Sequence, residues 1–196
     1  YRGAAPIQWA LMNGDDVTGV SIFQIEKKVD TGGIIHLEKI KIQNKDNFET
    51  LSYKLSELGS KALLKSLRLI ENDDFKLLVQ DNKKSTSAPK IKREMLRINW
   101  SWEAEKINNW VRGLSPSPGM YTFYGGKKLK IFKTSVVHSD RELSIGKIEV
   151  INSRELVVHC VDKMISILEV QQEGKKRLSI QKFLIGSNIK SGDYFI

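Results

Sequence analysis

Asp30 stands in the run Val29-Asp30-Thr31-Gly32-Gly33, an acidic side chain with two glycines close behind it. Two readings suit that spacing. Asp-Thr-Gly is good turn chemistry in its own right, because a short carboxylate bonds to nearby backbone amides. The same glycines also let a chain turn tightly beside a ligand. The residues alone leave both open. A second grouping is cationic: Lys127, Lys128, Lys130 and Lys133 recur along one stretch, Lys175-Lys176-Arg177 form a cluster, and Lys90, Lys92 and Arg93 fall together upstream. Such groups either line a path for phosphates or are solvated surface side chains. Cys160 is the single cysteine, so no internal disulfide is possible, and its place after Leu156-Val157-Val158-His159 predicts a buried, inert thiol. His36, His138 and His159 are scattered without metal-ligand spacing, so no metal site is expected.

The elements that must position these groups come from a chain of 196 residues, 40% hydrophobic and 28% charged, which suits one generous or two small globular domains. No apolar run approaches the ~20 residues of a membrane span, and no secretory signal is visible. The net charge of +9 is unevenly spread: residues 1–82 carry 11 Lys/Arg against 12 Asp/Glu, residues 83–97 carry six against Glu94 alone, and residues 98–196 carry 15 against 10. A near-neutral first part followed by a basic joint and a basic second part suits either a polyanionic partner or an ordinary basic surface.

Pro6 fits the first turn of a helix that has Ile7, Ala10 and Leu11 on one face and stops at Asn13-Gly14. Val17–Ile25 reads as a strand with apolar residues on both sides, the pattern of a buried strand. Residues 27–33 form a loop, and Ile34–Ile42 a second strand. Residues 47–71 are helical, with Leu51, Leu55, Leu58, Leu63 and Leu67 near the 3.6 period and Gly59 a place for a bend. Residues 80–97 lack any apolar period and hold the domain boundary. Ser101 suits the cap of a helix through Arg112, with Ile107, Trp110 and Val111 on one face. Strands follow at 120–124, 128–136, 146–151, 155–160 and 165–171, then a helical turn or two at 179–184. Short strands at this spacing predict a small antiparallel barrel or sandwich. Trp100, Trp102, Trp110 and Tyr121 are expected in the core rather than stacked on bases.

Three stretches, in order, carry a resemblance: Tyr1-Arg2-Gly3-Ala4-Ala5-Pro6-Ile7-Gln8 with Thr18-Gly19-Val20 behind it, the Asp30 run, and Gln172-Glu173-Gly174-Lys175-Lys176-Arg177. Together they resemble the methionyl-tRNA formyltransferases over essentially the whole chain. The resemblance implies an α/β plus β architecture: residues 1–75 as the C-terminal part of a Rossmann-like formyltransferase domain, 76–97 as a basic linker, and 98–196 as an OB-fold-like, tRNA-binding β-barrel. It implies formyl transfer from 10-formyltetrahydrofolate, as co-substrate, to the amino group of methionine on initiator tRNA, without a metal. Asp30 becomes the carboxylate that orients and charges an imidazole and holds a relaying water. Glu26, Lys27, Lys28, Val29 and Asp30 border the pteridine, and Lys90, Lys92, Arg93, Lys127, Lys128, Lys130, Lys175 and Lys176 contact tRNA. The family's Asn-x-His and Ser-Leu-Leu-Pro stretches are not in this sequence, so the chain is expected to be the C-terminal two-thirds of such a protein, inactive alone, and a cytoplasmic monomer off the membrane. A folate-dependent formyltransferase of amino sugar nucleotides and a non-catalytic RNA-binding module are the alternatives.

Overall fold

The computed structural model describes residues 1–27, 30–139 and 142–196. The chain divides into two compact units. Tyr1–Ala10 and Asp15–Lys90 form the first; Leu11–Gly14 and Ile91–Ile196 form the second. Residues 76–90, expected to be linker, thus belong to the first unit.

The first unit is built on an antiparallel hairpin. β1 (Val17–Phe23) pairs with β2 (Ile34–Lys41) from Val17 opposite Lys41 to Phe23 opposite Ile34, with a register shift between Ile22 and Phe23. Its strands are not buried on both faces as expected: residues along β1 alternate between exposed and half-covered. α1 (Pro6–Met12) precedes the hairpin, and α2 (Phe48–Glu71) packs against both strands. α2 starts at a capping box in which Asn47 accepts from the Thr50 N–H and Thr50 Oγ1 accepts from the Asn47 N–H. The stripe it buries is Leu51, Leu55, Ala62 and Ser66, whereas Leu63 and Leu67 are exposed. Small side chains explain the difference. The buried positions of the second half are the small Ala62 and Ser66, and a Cβ on Gly59 would meet Val20 only at ordinary contact distance, 3.8 Å. The helix runs unbroken through Gly59.

Asp46 anchors the start of α2. It is 2% exposed and accepts from the Gln43 N–H at 2.9 Å, from Lys54 Nζ at 2.6 Å and from Thr50 Oγ1 at 3.3 Å. Burial pushes its carboxyl up, but the Lys54 ammonium and these hydrogen bonds outweigh it and hold the group below its ordinary value of 3.8. A depressed folded value means the stabilisation is complete above the ordinary carboxylate range and is lost as pH falls through the folded value. Asp46→Ala is expected to cost about 2 kcal/mol at pH 7. Thermal midpoints of the two proteins should converge as pH falls below about 4.

A strap closes this unit. The Arg2 N–H donates to the Thr86 carbonyl and the Ala88 N–H to the Arg2 carbonyl, both at 2.8 Å, and the Ala5 N–H reaches the Ala88 carbonyl at 3.1 Å. Trp9 Nε1 donates to the Pro89 carbonyl at 2.8 Å. Gly3 runs so close that a Cβ there would strike the Ala88 carbonyl oxygen. Leu78 exchanges two backbone hydrogen bonds with Ile34, both 2.9 Å, beside β2.

The second unit begins with a 3-10 turn (Arg93–Leu96) and α3 (Ala104–Gly113). α3 starts later than the Ser101 cap expected from sequence, because its first N–H, on Ala104, is capped by Asp162 from a distant turn at 2.9 Å. Then follow β3 (Met120–Tyr124), β4 (Lys127–Val137), β5 (Ile148–Ile151), β6 (Glu155–His159), β7 (Met164–Gln172), β8 (Leu178–Ser179) and α4 (Ile180–Ile185). The strand order is β3-β4-β7-β6-β5, antiparallel throughout, with β8 also on β7. Residues 193–196 join the two outer strands. On one side Ile148 donates to the Asp193 carbonyl and Phe195 to that of Gly146; on the other, Phe123 and Ile196 exchange both bonds at 3.1 Å. Backbone hydrogen bonds therefore run round a ring, with residues 193–196 as the closing segment. Its core includes Ile107, Val111, Met120, Ile131, Ile148, Leu156, Ile165 and Ile167, all fully buried. Trp100 is buried as expected, stacked on Phe195 at 5.5 Å, with Nε1 donating to Thr122 Oγ1. Cys160 is fully buried, and burial, followed by the Asp162 charge, pushes its thiol up to about 12. Among the described residues no helix is long and apolar enough to cross a membrane.

Candidate active site

The loop between β1 and β2 is folded by its glycines. Gln24 N–H donates to the Gly33 carbonyl at 3.0 Å, which draws the loop's two ends together. Gly32 then lies flat against Gln24, and a Cβ there would collide with the Gln24 carbonyl oxygen. Any side chain at position 32 must push that backbone away. Gly32→Ala is expected to destabilise the first unit by roughly 1–3 kcal/mol, read as a lower urea midpoint at unchanged slope.

From this base the chain carries Asp30 at φ +56°, the left-handed region that aspartate and asparagine tolerate better than most residues. The same loop borders a cleft of about 950 Å³ lined by Ile25, Glu26, Lys27, Thr31 and Asn82; the expected catalytic residue, Asp30, precedes Thr31 in the chain but is not part of that lining. Of the expected pteridine-bordering residues, Glu26 and Lys27 line the cleft, and Asp30 sits on the loop between Lys27 and Thr31. Lys28 and Val29 lie outside the described residues. None of the chain's three histidines lines the cleft: His36 on β2 bonds Glu38 at 2.8 Å, and His159 is buried in the second unit, where Nδ1 accepts from Ser144 and Nε2 meets Glu149 at 2.9 Å. Among the described residues no group of three or more His, Cys, Asp or Glu could hold a metal.

Sequence reasoning missed what holds this loop. Gln80 Nε2 donates to the Gly32 carbonyl at 2.7 Å, while its Oε1 accepts from Arg2 at 2.8 Å. Arg2 also donates to Asn82 Oδ1 at 2.9 Å. Arg2 therefore ties residues 80–82 beneath the turn that carries Asp30. Arg2 belongs to a recognisable motif, but nothing in the local sequence marks Gln80, whose partners lie 48 and 78 residues away.

The cations fall into three groups. Lys90 is exposed at the end of the first unit. In the second unit Lys92 pairs loosely with Glu94 at 3.7 Å, and Arg93 is exposed. Lys127 and Lys175 line one cleft of about 630 Å³ with Tyr124 and Asp193, next to the exposed Lys176. Lys128 and Lys130 are engaged: Lys128 Nζ lies 3.9 Å from the centroid of the Tyr121 ring, and Lys130 Nζ donates to the Pro118 carbonyl at 2.9 Å. Arg177 is held by Glu169 at 2.6 Å.

These features meet in one known architecture. Residues 90–188 match the family model "Formyl transferase, C-terminal domain", and residues 1–67 match "Formyl transferase". The chain belongs to the formyltransferase family. It is 41% identical over 193 residues to the methionyl-tRNA formyltransferase of Caldanaerobacter subterraneus subsp. tengcongensis, covering 98% of this chain and 62% of that protein. The chain thus spans less than two-thirds of the length of the curated relatives it matches. Two solved structures share the fold. HypX from Aquifex aeolicus in complex with tetrahydrofolic acid superposes with TM-score 0.70 at 17% identity, over all of this chain and 36% of that one. The N-formyltransferase from Helicobacter canadensis in complex with folinic acid and dTDP-3-aminofucose gives 0.68 at 19% identity, over 88% and 62%.

Proposed function

We propose that this chain is the folate-loop and RNA-contacting part of a methionyl-tRNA formyltransferase, which moves the formyl group of 10-formyltetrahydrofolate to the methionine amine of initiator tRNA. The observation that carries this reading is the 41% identity along 98% of the chain to a protein of that name. Glu26 and Lys27 line an open cleft on the β1–β2 loop, and the ring of backbone hydrogen bonds that residues 193–196 complete suits an OB-fold-like tRNA-binding domain.

Formyl transfer to an amine needs a neutral nucleophile, a donor for the tetrahedral oxyanion and a route for the departing proton. A carboxylate at Asp30 serves by keeping an imidazole charged and aimed, and by holding a water that relays the proton. The described lining of the cleft supplies no such imidazole, so the 196-residue chain by itself is inactive in this reading. It acts as a cytoplasmic monomer without a membrane partner.

The complete protein, given 10-formyltetrahydrofolate, should formylate charged initiator tRNA and leave a dTDP-amino sugar untouched. Formylation of the sugar nucleotide alone would move the protein to that branch of the family. Transfer to neither would favour a non-catalytic RNA-binding module.

A further inference from the structure

We propose that the cleft between the Arg93–Leu96 turn and α3 seats an unstacked nucleobase, and that the outer face of β3 and β4 carries the neighbouring nucleotides of the same unpaired RNA segment. The proposal rests on the RNA-binding reading of the second unit and assigns it a stacking site. The cleft, about 570 Å³, is lined by Met95, Arg97, Trp100, Trp102, Trp110 and Ile196 among others. Trp102 and Trp110 were expected in the core, yet both are only half-buried and stand 4.9 Å apart with their planes at 60°. Lys106 Nζ lies 4.3 Å from the Trp102 ring centroid.

Arg97 links this cleft to the sheet. It lines the cleft, and its guanidinium lies 5.6 Å from the Phe123 ring. Phe123 meets Tyr121 edge-on at 5.6 Å, and Lys128 covers Tyr121. Four half-buried aromatic rings and three cations thus form one connected stripe. A base stacks on a ring face, or on the guanidinium or ammonium stem that rests over it, and the cation's charge draws the next phosphate. Cations already resting on rings lose less freedom when they bind. The acidic residue among those lining the cleft, Glu94, has Lys92 at 3.7 Å. Paired RNA hides the base faces such a stripe would use, so the occupant is unpaired.

The test compares an unpaired eight-nucleotide RNA with a short RNA stem of equal phosphate number, binding to the 196-residue chain at low salt. Anisotropy of labelled RNA and tryptophan emission are both read. The unpaired RNA should bind more tightly and quench tryptophan emission. Trp102→Ala, and separately Phe123→Leu, which keeps an apolar side chain on the strand, should each weaken it about tenfold and leave the stem unaffected. Circular dichroism checks that both variants fold. Both folded variants binding the unpaired RNA like the parent would overturn the stacking site while the RNA-binding reading stands. So would equal, unquenched binding of the two RNAs. If the parent binds neither RNA, the RNA-binding reading fails and this proposal with it.

Discussion

Asp30→Asn in the complete enzyme is expected to slow formyl transfer by about 10²–10⁴-fold while shifting unfolding free energy by less than about 0.5 kcal/mol. The first half follows from charge. Asparagine has nearly the same shape but cannot favour a protonated imidazole or accept through two anionic oxygens. The second half follows from the backbone. Asp30 sits at φ +56°, and asparagine adopts that conformation as readily as aspartate. Alanine or leucine would add about 1–2 kcal/mol of left-handed strain and confuse a folding defect with a chemical one. Single-turnover formylation at saturating folate, read beside a urea melt, separates the two. Near-normal turnover in Asp30→Asn would remove this carboxylate from the mechanism.

The second large effect is on RNA. The chain should bind initiator tRNA weakly, with affinity falling about 100-fold between 50 and 200 mM salt if roughly four phosphates are neutralised. That number counts four exposed lysines of β4 and the turn after β7. Lys127, Lys133, Lys175 and Lys176 are exposed, whereas Lys130 is tied to the Pro118 carbonyl and Arg177 to Glu169. Replacing Lys127 and Lys175 by glutamine should flatten the log–log salt slope by about 2, while Lys130→Gln should barely change it. Binding that ignores salt would show that the basic surface has some other purpose.

Strands β3 to β7 were legible to within a residue or two, because alternation and turn residues are local signals; the two-residue β8 was not read as a strand. The tail that joins β3 to β5 was not, since its partners Phe123, Gly146 and Ile148 are about 50–70 residues away. The same limit hid Asp162 as the cap of α3 and Gln80 as the prop of Gly32. The buried stripe of α2 was read correctly at Leu51 and Leu55 but misassigned further on. Periodicity weights large apolar side chains, and here the small Ala62 and Ser66 are buried while Leu63 and Leu67 face out. At the candidate site, Asp30 and its glycines announced a turn, but only the family resemblance gave the carboxylate a task. Neither source foretold which lysines would be occupied, because a cation's partner is set by packing.

The strap formed by Arg2 and Ala5 with Thr86 and Ala88 joins segments more than 80 residues apart. Closing a loop of that length costs about 4 kcal/mol of chain entropy before any contact repays it. The rim of the first unit is therefore held by contacts of long sequence separation. Gln80, which props Gly32, is itself held by Arg2, so the strap and the Asp30 turn share one residue. Loosening the chain at Arg2 therefore loosens that prop as well, and leaves the loop its local bond between Gln24 and Gly33.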